Sequence, residues 1–428
     1  MATDNIKKKR KAIIFVGYYY LSTPIYTALK TQLKDFDLQY LFTKDTIASE
    51  TNYKYFDINS LKQTDPDIIE MEYNPPWYGK TFLGNHKSKL KKKLIWAWWM
   101  FNFPLFRRKV LRFVKDAKPD IILTTSDMFF TPRYIADKMP DTPILLIQPC
   151  YLDLWEREYR FELTKKLMNI IQPYLFERQQ YFGFEIEREK LLLWEPSAFE
   201  IYKQKGKDPL RIINPSHIQI KESAVQIKTQ KEKFLEGVFG KISPQKTISF
   251  FTAFYGDVKG HGNTYQQNLE EELIKVITAI QEDYNIIIKI HPNEQMSYWT
   301  NVFTEKLTSK DNITIVHNCD KFQLMGSSDF MISTNSYAAV EASLMGIVTL
   351  NFVPGVEIIG KDFCAAFNRN SIITIYETNE LIGFLKDNRD TDLQSFNEKI
   401  KNVQDIIFGY SETGKPRYIE DIMNELTP

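Results

Sequence analysis

The sequence predicts an α/β protein of two domains, each built on a parallel sheet. Three observations lead there. The chain has 428 residues, and at about 100–200 residues per domain two is the natural number. Near the start, an apolar run over 11–16, a loop, a helical stretch opening at Thr23-Pro24 and a second apolar run over 38–42 make a βαβ unit. In the second half, a β-rich run over 284–290 stops at His291-Pro292. Another run, 330–332, breaks into Ser333, Thr334, Asn335 and Ser336. It then turns helical through Ala338, Ala339, Glu341, Ala342, Leu344 and Met345, and a third run follows over 347–352. Gly346 suits the end of that helix. In such sheets ligands bind outside the carboxyl ends of the strands.

Taken in order, the first helix carries Pro24 where a missing N–H costs nothing. The loop before it, Gly17 to Ser22, lacks GxGxxG and so is no standard dinucleotide fingerprint. Its tyrosines, Tyr18 to Tyr20, are candidates to stack on a sugar. The stretch 85–112 is a compositional anomaly. Lys87, Lys89, Lys91, Lys92 and Lys93 meet Trp96, Trp98, Trp99, Phe101 and Phe103, then Arg107, Arg108 and Lys109. Basic residues flanking an aromatic patch suit an anionic membrane surface, with tryptophans at headgroup level. A buried helix with a solvated basic approach is the equal alternative.

A strand over 120–123 ends in Thr124, Thr125, Ser126 and Asp127, and a helix follows from Thr131-Pro132. A strand over 144–147 leads through Gln148-Pro149-Cys150 to Asp153 and Glu156. The stretch 161–188 is helical in pattern. Runs at 191–195 and 211–214 frame a helix near 197–205, and 222–239 reads as a charged helical connector. The second domain opens with a strand at 246–254, a glycine-bearing loop at 255–262 and a helix at 265–281. A strand at 313–316 leads to His317, Asn318, Cys319 and Asp320, then a short helix at 322–327. A late strand at 371–376, an amphipathic helix over 380–407 and a last helix over 417–426 complete the chain. The plan is therefore a first domain at 1–214, a linker at 215–245, a second domain at 246–410 and a C-terminal helix within 411–428.

The bulk composition excludes several classes. A net charge of +1 gives no global field for nucleic acid. Three scattered cysteines fit a reducing compartment rather than a disulfide framework, and no Cys/His spacing matches a structural zinc. The first apolar run is too short for a signal segment, and no run reaches the ~18 residues of a membrane span. The expected location is cytoplasmic, or peripheral on the inner face of the plasma membrane through 87–109.

An HP pair followed by a Ser/Thr turn that opens a helix, with Glu one turn in, resembles the donor half of a GT-B glycosyltransferase. The relatives it is similar to are bacterial surface-polysaccharide enzymes: capsule Kdo-transferase-like proteins, GT-B sialyl- and polysialyltransferases, and CDP-glycerol glycerophosphotransferases. The resemblance implies two Rossmann-like domains facing a cleft, with the last helix crossing back to the first. It implies that His291 and Thr334 or Ser336 hold the donor phosphate and that Glu341 holds the ribose. His317 falls where many such enzymes touch the donor base, and Lys259 or His261 is positioned to meet a phosphate. His291, if protonated, is also a candidate acid. An inverting transferase needs a base near the acceptor hydroxyl. Asp127 is the first candidate and Asp153 or Glu156 the second; Asp257 takes the role if the arrangement follows the polysialyltransferases.

The implied substrates are a nucleotide-activated sugar (CMP-, UDP- or GDP-linked) and a glycan or lipid-linked acceptor. No cofactor is implied, and without a DxD no metal is required. One departure stands out: the turn is STNS where a glycine-rich SGG is usual. A UDP-sugar 2-epimerase, a glycerophosphotransferase and a non-catalytic carbohydrate-binding module are the alternatives.

Overall fold

The computed structural model describes residues 11–17, 22–44, 58–72, 104–125, 130–149, 186, 188–241, 244–253, 262–291, 294, 296–306, 312–317, 319–359, 372–408 and 416–426. These divide into two compact units. One comprises Met1–Ser216 with Lys415–Pro428; the other is His217–Gly414.

The first unit holds a seven-stranded parallel sheet. Its strands are β1 (Lys11–Gly17), β2 (Phe36–Lys44), β3 (Ile68–Glu72), β4 (Ile121–Thr124), β5 (Ile144–Ile147), β6 (Lys190–Leu193) and β7 (Leu210–Arg211), in the order β3-β2-β1-β4-β5-β6-β7. Parallel strands are covered on both faces, which is why β4 and β5 read as unbroken apolar runs and are buried at every residue. Edge strand β3 instead alternates Ile68, Glu70 and Glu72 with Ile69 and Met71, a weaker apolar signal. Gly17 closes β1 because of close approach: a Cβ there would lie 2.6 Å from the Tyr40 hydroxyl and 2.8 Å from Ser22 Cβ. The helix Ser22–Gln32 follows. Its Tyr26 donates to Asp65 at 2.7 Å, and its Lys30 pairs with Asp65 and, at 2.8 Å, with Asp67.

The second unit holds a six-stranded parallel sheet. Its strands are β8 (Thr247–Phe251), β9 (Asn285–Lys289), β10 (Ile313–Val316), β11 (Phe330–Ser333), β12 (Val348–Phe352) and β13 (Ile373–Ile375), in the order β10-β9-β8-β11-β12-β13. On one face Ile248, Phe250, Ile286, Ile288, Phe330, Ile332 and Leu350 pack against the helices Gly262–Ile280 and Thr378–Asp387. Phe330 sits among Tyr284, Phe384 and Phe396 in edge-to-face contacts at 6.2–6.3 Å.

Several boundaries differ from the sequence reading. The stretch 215–245 forms two helices, Pro215–Lys228 and Lys231–Phe239, and the division into units falls at Ser216/His217. The amphipathic stretch 380–407 is not one helix. It breaks after Asp387, because the Asn388 side chain caps Phe384 O at 2.7 Å. Asp392 then starts a new turn by accepting from Gln394 N at 3.0 Å. The C-terminal helix, Ile419–Leu426, clusters with the first unit, and Arg417 bridges to Ile212 beside β7.

Candidate functional site

In the second sheet the strand order reverses between β8 and β11, with crossovers leaving in opposite directions. Such a reversal opens a crevice at the carboxyl ends of the two strands. Thr252 and Ala253 follow β8 there, Ser333 ends β11 with Thr334 just after it, and His291 lies just past β9. A small cavity at this edge is lined by Phe250, Thr252, Gln266, Trp299, Ser333 and Thr334, among others.

The HP histidine is held by its backbone. His291 N–H donates to Thr252 Oγ1 at 2.7 Å and to Glu294 Oε2 at 3.0 Å, and Thr252 also hydrogen-bonds Glu294. Glu294 N–H returns to His291 O at 2.9 Å. Gln266, from the helix Gly262–Ile280, donates to Glu294 Oε1 at 3.2 Å and to Glu270 at 2.8 Å. Burial, and then neighbouring Lys289, push the imidazole down to about 4. The imidazole is therefore neutral at pH 7 in this state. Its use as an acid requires an anion nearby to restore its proton affinity. Burial pushes the Glu294 carboxyl up to about 7, against hydrogen bonds from Thr252, His291 N–H and Trp299.

The STNS turn solves its lack of glycine with a side-chain pair. Asn335 adopts φ +43°, in the left-handed region that asparagine tolerates better than most residues. Asn351, fully buried in β12, locks it there. Asn351 Oδ1 accepts from Asn335 N–H at 2.7 Å, and Asn351 Nδ2 donates to Asn335 Oδ1 at 3.1 Å. Ser336 then starts the helix Ala338–Leu344: its Oγ accepts from Ala338 N–H at 3.3 Å and its carbonyl from Ala339 N–H at 2.9 Å. Gly346 ends that helix at φ +73°.

Glu341 is buried in this helix, and both its oxygens accept from Lys321 Nζ at 2.7 Å. The ribose candidate thus already carries a cation. His317 lies half-buried at the end of β10.

The structure brings His291 and Thr334 to one strand edge, with Ser336 and Glu341 on the turn and helix that follow. Asp127, Asp257, Lys259, His261, Asp153 and Glu156 lie outside the described residues, as do Trp96, Trp98 and Trp99. Among the described residues no group of three or more His, Cys, Asp or Glu is placed to hold a metal ion. No helix among them is long and apolar enough to cross a membrane.

Four residues near this edge had no role in the sequence reading. Glu294 sits within the KIHPNE segment. Asn351 interrupts an apolar strand, a polar intrusion that is itself a signal. Lys289 ends β9. His217, buried in the helix Pro215–Lys228, hydrogen-bonds the hydroxyl of Tyr337 beside the STNS turn; nothing in its local sequence marks it.

No family model matches the sequence, and no curated protein matches it. Solved structures do. The UDP-GlcNAc 2-epimerase from Neisseria meningitidis bound to UDP-GlcNAc superposes with TM-score 0.58 at 13% identity, covering 97% of this chain and 99% of that one. The wall teichoic acid polymerase TagF gives 0.53 at 14% identity, over 97% and 89%. A glycosyltransferase from Rickettsia africae gives 0.52 at 13% identity, over 98% and 99%. At these identities the likeness establishes architecture. Two parallel α/β units, each with its strand order reversing at the centre, give this chain the fold of the GT-B glycosyltransferases.

Proposed function

We propose that the protein is a glycosyltransferase that moves a sugar from a nucleotide-activated donor to a glycan or lipid-linked acceptor in the synthesis of bacterial surface polysaccharide. The observation that carries this reading is that His291 and the Ser333–Thr334 turn share the carboxyl edge of the second sheet, where its strand order reverses. In this reading the donor lies on the second unit. Departing nucleotide gains negative charge as the glycosidic bond breaks. The backbone N–H groups of the turn and the His291 ring are suited to stabilise that charge. Glu341, with Lys321, holds the ribose, and His317 faces the base. A carboxylate, Asp127 first and Asp257 otherwise, takes the acceptor proton. The epimerase among the structures of the same fold makes nucleotide-sugar isomerisation the competing reading. Incubating nucleotide sugar without acceptor separates them, since only an epimerase yields an isomerised product there.

The direct test is calorimetric titration of CMP, CDP, UDP and GDP into wild type and His291→Ala. One nucleotide is expected to bind, and the substitution to weaken it by on the order of 10–100-fold, the worth of a hydrogen bond to a charged group. Wild type that binds none of the four removes the donor reading.

We also propose a peripheral membrane contact through 87–109. Its support is the helix over 104–117, which buries Phe106, Val110 and Val114 while exposing Leu105, Arg108, Lys109 and Arg112. Replacing Arg108, Lys109 and Arg112 together by Gln is expected to weaken binding to anionic vesicles by on the order of 100-fold, at roughly 1 kcal/mol per cation. Unchanged vesicle pelleting removes the membrane role.

A further inference from the structure

The register of the second sheet aligns one row of side chains on a single face along its carboxyl edge. From β10 to β13 the row reads Val316, Lys289, Phe251, Ser333, Asn351 and Thr374. Asn351 is engaged by the STNS turn. Two other members lack what burial demands. Ser333 Oγ, only 2% exposed, has no hydrogen-bond partner among the described residues. Lys289 is half-buried. Its Nζ donates to Ile290 O at 2.7 Å, and no carboxylate among the described residues lies within ion-pair distance of it. One carbonyl uses one of three ammonium donors.

The surroundings make this cation costlier. Lys321 repels it, and the charge of Lys321 is already matched by Glu341 at 2.7 Å. Cys319 and Glu294 are the nearby groups that offset burial, and Asp320 stands beside Cys319. Neither Cys319 nor Glu294 settles the charge at neutral pH: burial raises the thiol above its ordinary range and holds the carboxyl at about 7. A half-buried cation with a single carbonyl partner gives up part of its hydration, and an unpaired buried hydroxyl costs about 1–3 kcal/mol.

We propose that Lys289 and Ser333 form an anion seat, filled by the phosphate of the nucleotide donor. The seat rests on the donor reading of this site. Geometry supports it. Lys289 and Ser333 flank Phe251 in the row, two strands and on the order of 10 Å apart between Cα atoms, so the lysine stem reaches past that ring to share a phosphate with Ser333. His291 lies just past Lys289 on the same edge. An anion there relieves both burial penalties.

The signature is a trade of stability against binding. A lysine kept for structure lowers stability when removed; one kept for a ligand does not. The experiment titrates UDP, CDP and inorganic diphosphate into wild type, Lys289→Met, Lys289→Arg and Ser333→Ala. Thermal unfolding is followed in parallel. Lys289→Met is expected to weaken every bound probe by on the order of 10–100-fold and to raise the unfolding midpoint. Lys289→Arg is expected to retain binding within several-fold, and Ser333→Ala to lose a smaller factor than Lys289→Met. Lys289→Met that binds as wild type overturns the seat, whatever its midpoint. If Lys289→Met fails to fold, full binding by Ser333→Ala overturns it instead. Wild type that binds diphosphate through Lys289 but no nucleotide keeps the seat and overturns the donor reading. Wild type that binds none of the probes overturns both.

Discussion

Replacing Glu294 by Gln is expected to tilt the pH dependence of stability one way, and replacing His291 by Gln the other. In the folded chain the His291 imidazole titrates at about 4 against an ordinary 6.5. Between these values the unfolded chain binds more protons, so stability rises with pH and is lost as pH falls. The Glu294 carboxyl titrates at about 7 against an ordinary 4.5. Between those values the folded chain binds more protons, so stability falls as pH rises. Each shift is worth about 3 kcal/mol over its window. In wild type the two slopes oppose one another from about pH 4.5 to 6.5 and nearly cancel. Glu294→Gln unmasks the histidine: relative to wild type, it gains stability as pH rises through that range. His291→Gln unmasks the carboxyl and loses stability over the same range. Urea midpoints at half-unit pH steps check this, and curves that stay parallel to wild type refute it. The cancellation has a functional side. His291 and Glu294 share one backbone clamp with Thr252, so the edge keeps a nearly constant stability across the pH range in which the unfolded chain's histidine changes charge.

The second large effect is an asymmetry between two partners. Lys321→Met is expected to destabilise by about 3 kcal/mol, and Glu341→Gln by less than about 1 kcal/mol. The ion pair is the same, but its ends differ. The Glu341 side chain is 7% exposed and the Lys321 side chain 39%. Losing the lysine strands a carboxylate in the interior. Losing the carboxylate leaves an ammonium that swings into water, with the Phe322 ring 4.8 Å below it. Donor binding is expected to respond in the opposite order. Glu341→Gln weakens the proposed ribose acceptor by removing its charge and one of its two acceptor oxygens, whereas in Lys321→Met the carboxylate survives at a less stable site. Chemical denaturation and nucleotide titration of both variants check the two orders. Equal stability losses would mean that Glu341 finds another partner.

Much of the edge was legible in the sequence. The apolar runs that became β9, β11 and β12 stand out because parallel strands are covered on both faces, and His291 and Ser333 mark where two of them stop. The helix after the turn follows from its small apolar residues, and Gly346 from the left-handed conformation it adopts. What escaped was long-range. Asn351 looks like a flaw in an apolar strand until its register beside Ser333 puts it beneath Asn335. Glu294 is three residues from His291, yet its role depends on Thr252, which lies 39 residues before His291. The departure from a glycine-rich turn is answered by an asparagine that takes the glycine conformation because another amide fixes it. The break at Asn388 was hidden because the apolar period resumes after it. The N-domain carboxylates were proposed from strand-end turns, and those turns lie outside the described residues.

The bridge between Ile212 and Arg417 bears on the order in which the chain matures. The first unit begins with β1, and its centre closes early, when Ala12 N–H reaches Asp120 across 108 residues. Its far edge closes only when Arg417 exchanges hydrogen bonds with Arg211 and Ile213, and when Ile419, Ile422 and Met423 become buried. At ~5–20 residues per second, the roughly 200 residues between the two sides of that bridge take about 10–40 s to synthesise. The half of the protein that leaves the ribosome first is thus the half finished last, and its exposed edge needs shielding meanwhile. A chain stopped after residue 414 would keep every strand and still leave that edge open.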